Sequence, residues 1–338
     1  MRSKAFFING GAGRVIASIP ALEKYAESHD DFVIVAEGGM NFFKGHPILH
    51  KYSYDSWHKG LFEDKLKMRD CVTPEPYRVW HYYNQKCSIA QAYDIEINGL
   101  EEPRELPTPT IKLSKTEAIT AINTVEEVRA KSGKDKVIVI QPFGRGAMVQ
   151  GDFIIDQSSR SFHQSYIVDI INNLKKDYGV IVMCEFQFPI EPTDKKDAIP
   201  VAWPQADIRV WAGIIGQADH FLGCDSVGQH MAKSLDTTVT AVIGSTYPIN
   251  ISYPKDPKFD IIDLGENKRT YSAIRLTQED YHDMMNDECM EMTDEDVKKV
   301  ITSCRKGLGK PRDYKGQGVP NTQQQSCCDN NTSKGFGS

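Results

Sequence analysis

The chain has 338 residues with 40 basic and 46 acidic side chains, a formal net charge of −6. A hydrophobic share of 40% with 25% charged residues fits a globular protein of about two domains and excludes a collagen-like or wholly unfolded chain. No apolar run reaches the ~18 residues of a membrane span, and the mild acidity argues against coating nucleic acid by bulk charge.

The apolar stretch ahead of Asn9 is too short for a signal peptide, so the expected location is the cytoplasm, at most peripheral to the inner membrane. Ala5–Asn9 predicts a strand and Gly10–Gly13 a turn. Val15, Ile16, Ile19, Leu22 and Tyr25 then recur at helical spacing. A second buried strand, Asp31–Ala36, ends in Glu37-Gly38-Gly39. Strand, helix, strand predicts a parallel sheet, whose ligand sites lie at the carboxyl ends of its strands.

Residues 52–93 are rich in aromatic rings, which either pack in a core or stack on a sugar or base. Residues 99–113, with Pro103, Pro107 and Pro109, predict a surface connection. Ser114 and Glu117 form a capping box that opens a helix to about Lys131. The second half restarts the alternation, with predicted strands at 136–141, 180–184, 220–224 and 238–243. Helices are predicted at 162–177, 208–217 and 228–235.

The fold class that follows is α/β, with two Rossmann-like doubly wound domains (1–113 and 114–306) facing a central cleft. A polar tail, 307–338, is expected to be disordered. Six scattered cysteines, Cys71 to Cys304, and adjacent Cys327 and Cys328 lack metal-site or disulfide spacing and predict reduced thiols. No metal site is predicted.

Two patterns carry chemistry. Gly11-x-Gly13, a helix and then Glu37 suggest a dinucleotide site, but Ile16 stands where the third glycine of that fingerprint belongs, which weakens a nicotinamide oxidoreductase reading. The fuller unit is strand Phe221–Cys224, Asp225-Ser226-Val227-Gly228-Gln229-His230, a helix, a strand and GSTYP. Asp225 or Ser226 can cap that helix. Its first turn offers amides and a positive dipole to a diphosphate, Gly228 leaves the approach open, and His230 can donate to a phosphate or ribose oxygen.

With these residues in view, the chain resembles glycosyltransferase family 9, the ADP-heptose:lipopolysaccharide heptosyltransferases of GT-B fold. The resemblance rests on GGAGRVIASIPALEKY (10–25), GHPILHKYSY (45–54), QPFGRG (141–146), SRSF (159–162) and GCDSVGQHMAKSLDTTVTAVIGSTYP (223–248). It implies transfer of a sugar from a nucleoside diphosphate, ADP favoured, to an acceptor hydroxyl, with inversion and without a metal or other cofactor. It further implies a donor pocket of Asp225, Ser226, Gly228 and His230. Arg160 stands in place of a phosphate-binding lysine and Glu185 holds the nucleoside hydroxyls, while Gly13, Gly144 and Arg145 lie in the phosphate loops. The acceptor is a glycan, a protein or a modified nucleobase.

Two departures from the family pattern matter. Val227 separates Ser226 from the motif glycine, and Arg14 falls where the family carries the aspartate that deprotonates the acceptor. An arginine cannot take that proton at ordinary pH. Glu37, then His81 and Asp55, are the expected substitutes, with Arg14 turned toward a phosphate. The alternative is a sugar-nucleotide-binding or glycan-binding protein that has lost transfer.

Overall fold

The computed structural model describes residues 2–151, 153–156, 158–190, 200–270 and 287–316. Strand β1 (Lys4–Ile8) leads through a glycine turn into α1 (Ala12–Ala26) and on to β2 (Phe32–Ala36), and β3 (Ser53–Asp55) and β4 (Asp70–Val72) follow. All pair in parallel, in spatial order β3-β2-β1-β4. β2 is an unbroken apolar run because both of its faces are covered. Leu61 and Leu66 pack against Ala5, Val33 and Val35 on one face, and α1 belongs to the main core on the other. Strand order reverses between β1 and β4, which makes the crevice outside their carboxyl ends the switch point of this sheet.

Helices α2 (Trp80–Tyr83) and α3 (Ile89–Asn98) carry part of the aromatic stretch. Tyr82 and Tyr93 are fully buried, whereas Trp57, Phe62 and Trp80 are exposed. Residues 99–113 cross over without helix or strand. The expected capping box then opens α4 (Lys115–Ser132), with Ser114 Oγ accepting from the Glu117 amide.

The second sheet begins with β5 (Val137–Gln141). A hairpin of β6 (Ala147–Gln150) and β7 (Phe153–Asp156), α5 (Gln164–Leu174) and β8 (Gly179–Val182) come next. They are followed by α6 (Ile208–Gln217), β9 (His220–Gly223), α7 (Val227–Ser234), β10 (Val239–Ile243), α8 (Pro248–Ile251), β11 (Phe259–Asp263) and α9 (Asp294–Leu308). The order β8-β5-β9-β10-β11 is all parallel, and its switch point lies between β5 and β9.

Residues 307–316 do not fit the expected loose tail. Helix α9 runs through 307 to Leu308, Asp313 bridges to Lys134, and Tyr314 donates to Glu126 at 2.6 Å. Those partners order residues 307–316 despite their polarity. Residues 317–338, with Cys327 and Cys328, lie outside the described residues.

Buried polar contacts join the two halves. Arg209, at the start of α6, donates to the carbonyls of Asn41 and Lys112 and pairs with Glu117, holding that carboxyl well below its usual range. Asn250 Nδ2 donates to the carbonyls of Tyr82 and Cys87 at 2.9 and 2.8 Å.

Candidate functional site

At the switch point of the second sheet, Gln141 ends β5 level with Gly223 of β9. Its Oε1 accepts from the Gly228 amide at 2.9 Å and its Nε2 donates to Ser226 Oγ at 3.0 Å. Gln141 therefore caps α7. Ser226 occupies the N-cap position without a side-chain cap bond, and Asp225 is turned elsewhere, contrary to the expectation that one of them would cap. Nor is Gly228 open to a ligand. A methyl there would lie 2.3 Å from the Phe221 ring and 2.4 Å from Gln141 Oε1, so this glycine serves close packing.

Arg160 is the cation at this place. Its Nε donates to Ser158 Oγ at 3.0 Å, and its Nη1 lies 3.7 Å from Asp225 Oδ2. The side chain is still 28% exposed. Asp225 is itself buried and accepts from Thr246 Oγ1 at 2.9 Å. Burial works against the Arg160 charge, but the carboxylates of Asp225 and Asp156 outweigh it and raise its pKa above the ordinary value. Asp225 thus stands behind Arg160 as its anchor. The hairpin explains the loop. Asp156 accepts from Ser158 and Ser161, and Ser161 Oγ accepts from the Gly144 amide at 2.9 Å. Gly144 is buried, with its donor already used.

The first switch point faces this one. Gly10, at φ +93°, turns the chain after β1, and its amide donates to Glu37 Oε2 at 2.8 Å. Arg145 reaches over from the second half, its Nη1 3.7 Å from where a Gly38 methyl would sit and 4.0 Å from one on Gly11. Arg14 turns away from solvent. Its Nε donates to Tyr93 Oη at 2.8 Å, its Nη2 pairs with Glu75 Oε1 at 3.5 Å, and its guanidinium lies 5.0 Å from the Tyr77 ring centre. Burial opposes this charge too, and Tyr93, Tyr77 and Glu75 overcome it, so its pKa is raised. Arg14 also lies against the glycine turn, its Cδ 2.7 Å from where a Gly10 methyl would sit, so Arg14 and Arg145 approach the same turn from the two halves.

Gly13 meets His230 across the halves, since a methyl on Gly13 would lie 3.2 Å from His230 Cδ2. His230 Nδ1 and Tyr253 Oη share a 2.8 Å hydrogen bond. Burial lowers the His230 pKa to about 4, against a raising influence from Asp225, so the ring is neutral at pH 7.

The remaining expected residues lie apart from this cluster or at its rim. His81 Nε2 pairs with Glu102 at 3.1 Å. Asp55 Oδ1 accepts from the Trp57 amide at 2.8 Å in its own turn. Glu185 is exposed on the loop after β8. Sequence reasoning missed Gln141 as a cap, and it missed Glu75, Tyr77, Tyr93 and Tyr253. The signal for Gln141 was a polar residue closing an apolar strand inside a stretch already singled out. Glu75 and Tyr77 follow a three-residue strand that carries no periodicity. Among the described residues, no three His, Cys, Asp or Glu side chains cluster to hold a metal ion, and no helix is long and apolar enough to cross a membrane.

No protein-family profile and no curated protein sequence matches the chain. Solved structures do. A glycosyltransferase family 9 protein from Veillonella parvula superposes with a TM-score of 0.57 at 10% identity, over 91% of this chain and 97% of that one. The iron-containing dodecameric glycosyltransferase TibC from enterotoxigenic E. coli superposes with a TM-score of 0.55 at 11% identity, over 91% and 77%. TibC in complex with ADP-D-β-D-heptose gives 0.52 at 12% identity, over the same shares. In its architecture, two parallel doubly wound sheets with their switch points opposed, the chain has the GT-B fold of the glycosyltransferase family 9 structures.

Proposed function

We propose that the protein is a glycosyltransferase that moves a sugar from a nucleoside diphosphate to an acceptor hydroxyl. The observation that carries this reading is Arg160, a partly exposed guanidinium fixed by Ser158 and Asp225 at one switch point, which faces the other. A pre-positioned cation is what a departing diphosphate requires, because its negative charge grows as the bond to the anomeric carbon breaks. Arg145, beside the glycine turn, supplies a second cation. The fixed forks of both guanidiniums suit phosphate oxygens. In this reading residues 114–306 hold the donor and 1–113 the acceptor, and direct displacement inverts the anomeric carbon. Glu185 sits at a strand's carboxyl end, where it would meet nucleoside hydroxyls.

The resemblance and the ADP-heptose bound to TibC favour an ADP-sugar. A carboxylate on the edge of the first sheet takes the acceptor proton. Among the three expected bases, Glu37 is the one at the glycine turn. The second reading, a binding protein without transfer, draws on Arg14, since the place of the family's base holds a cation. Exposure of the purified chain to ADP-, UDP- and GDP-sugars tests both readings. Thermal stabilisation by a nucleotide sugar, with a new glycoside seen by mass spectrometry, is the expected result. Stabilisation without product selects the binder, and stabilisation by none overturns both.

A further inference from the structure

We propose that Glu75 takes the proton of the acceptor hydroxyl while Arg14 clamps its carboxylate, an inference that rests on the glycosyltransferase reading above. Strand β4 delivers Glu75 to the switch point of the first sheet, beside the glycine turn that follows β1. The pair is neither fully buried nor free: the Arg14 side chain is 12% exposed and that of Glu75 22%. Arg14 is itself immobilised by Tyr93 and Tyr77, so the cation facing the carboxylate, 3.5 Å from Oε1, is fixed in place. Among the described residues only Oε1 of Glu75 is engaged, which leaves Oε2 to accept. Arg14 lies against the glycine turn, its Cδ 2.7 Å from where a Gly10 methyl would sit, and Arg145 of the second half reaches the same turn at Gly11 and Gly38. The Arg14–Glu75 pair therefore lies at the turn that the second half's cation also approaches.

The other expected groups are placed differently. Glu37 and Asp55 each take a backbone amide and are exposed, and His81 pairs with Glu102, whereas Glu75 alone is paired with the largely buried Arg14. The charge pattern of the family is thus transposed. A cation stands on the loop after β1, and the carboxylate comes to it from the loop after β4. In the reaction, the acceptor oxygen attacks the anomeric carbon as its proton passes to Glu75 Oε2. The bond from that carbon to the diphosphate oxygen breaks, and its electron pair leaves with the diphosphate. The proton on Glu75 then goes to solvent.

The test uses the full chain with ADP-heptose, ADP-glucose, UDP-glucose and GDP-mannose, with water or a glycan as acceptor, and follows release of the nucleoside diphosphate. Glu75→Gln keeps an oxygen for Arg14. It should lower kcat at least 100-fold, within the range removed with a general base, while KM for the donor and donor-induced thermal stabilisation stay unchanged. Glu75→Asp should regain at least tenfold of that loss. A kcat for Glu75→Gln within threefold of the unaltered protein overturns the assignment and leaves the transferase reading standing. Loss of donor stabilisation together with turnover does the same, by showing a structural role. Failure of the unaltered protein to release diphosphate from any of the four donors removes the reading on which the inference rests.

Discussion

The two switch points hold similar charges and are built in different ways. In the second sheet, Arg160, Ser158 and Asp156 lie within five residues of one another, and the hairpin that carries them folds back on the loop after β5. In the first, Arg14 on α1 meets Glu75 from the loop after β4 and Tyr93 from α3, partners 61 and 79 residues distant. A short-range site is set by local turn chemistry. A long-range one exists only once the strands and helices have docked. The cleft thus joins one wall whose cation is oriented by its own loop and backed by Asp225 from the end of β9 to another whose cation takes every partner from other elements.

The largest expected effect falls on the locally built wall. Arg160→Met keeps much of the side chain's length and removes the charge, leaving Asp225 buried with Thr246 and Gln229 as partners. Loss of one preorganised group facing developing charge costs about 100- to 1,000-fold in kcat. Steady-state release of the nucleoside diphosphate measures this. If turnover survives within tenfold, the wall carrying Arg160 is not where the leaving group sits, and the comparison between the walls loses its chemical meaning.

Acid sensitivity should separate the halves as well. His230 and His220, both in the second half, have pKa values lowered to about 4, chiefly by burial. His220 shares 2.8 Å hydrogen bonds with Thr238 and Thr240. An unfolded histidine titrates near 6.5, so between about pH 6.5 and 4 the unfolded chain binds protons that the folded one refuses. Stability therefore falls as pH drops through that window and levels off below it. Each ring accounts for up to about 3 kcal/mol at pH 4. Urea unfolding of the unaltered chain and of His230→Asn at pH 7, 6, 5 and 4 isolates one ring, since the carboxylate contribution cancels in the difference. An unchanged slope in the variant means that His230 is not held neutral by the fold.

Two glycines sharpen the contrast between packing within a half and packing between halves. Gly228→Ala drives a methyl into the Phe221 ring and Gln141, an overpacking that costs about 1–3 kcal/mol. Gly13→Ala meets His230 Cδ2 at 3.2 Å, and this crowding is offset by the roughly 1 kcal/mol that alanine gains over glycine in a helix. Chemical denaturation should show Gly228→Ala as the more damaging change. The Gly13 variant should act mainly on donor affinity, by spreading the halves. Equal destabilisation by the two would mean that the inter-half contact is as unyielding as the core.

How much of this was legible in the sequence follows the same division. β1, β2, β5, β9 and β10 are short apolar runs, because parallel strands covered on both faces cannot alternate, and they were readable one by one. The Ser114–Glu117 box was readable because its bonds are three residues apart. β4 was not, since three residues ending in Val72 carry no period, and Glu75 went with it. β6 and β7 are largely exposed, with Met148, Val149 and Phe153 facing outward, so no burial pattern marks them. The Asp225–His230 motif lies at the strand end that also holds Arg160, and its parts act otherwise than the pattern suggests: the glycine packs, the serine does not cap, and the aspartate backs an arginine. Motifs report where chain segments meet a cleft more reliably than which atom does what there.

The smallest expected effect tests that difference. A serine at an N-cap position ordinarily contributes about 0.5–2 kcal/mol through its bond to a free helix amide. Ser226 makes no such bond. Its hydroxyl accepts from Gln141 Nε2, while Gln141 Oε1 takes the Gly228 amide from 87 residues away. Removing the hydroxyl leaves that amide satisfied and costs only the Ser226–Gln141 bond, roughly 0.5–1.5 kcal/mol. Gln141→Ala instead strands a buried donor of the helix and opens space beneath it, so it should cost more, about 1–3 kcal/mol for the orphaned amide alone. Urea denaturation of the two variants orders them. If Ser226→Ala is the more damaging, the helix start belongs to its own loop. If Gln141→Ala is, α7 is oriented by the end of β5, and the second wall, for all its local turn chemistry, rests on a long-range contact of the kind that builds the first, beside the one between Arg160 and Asp225.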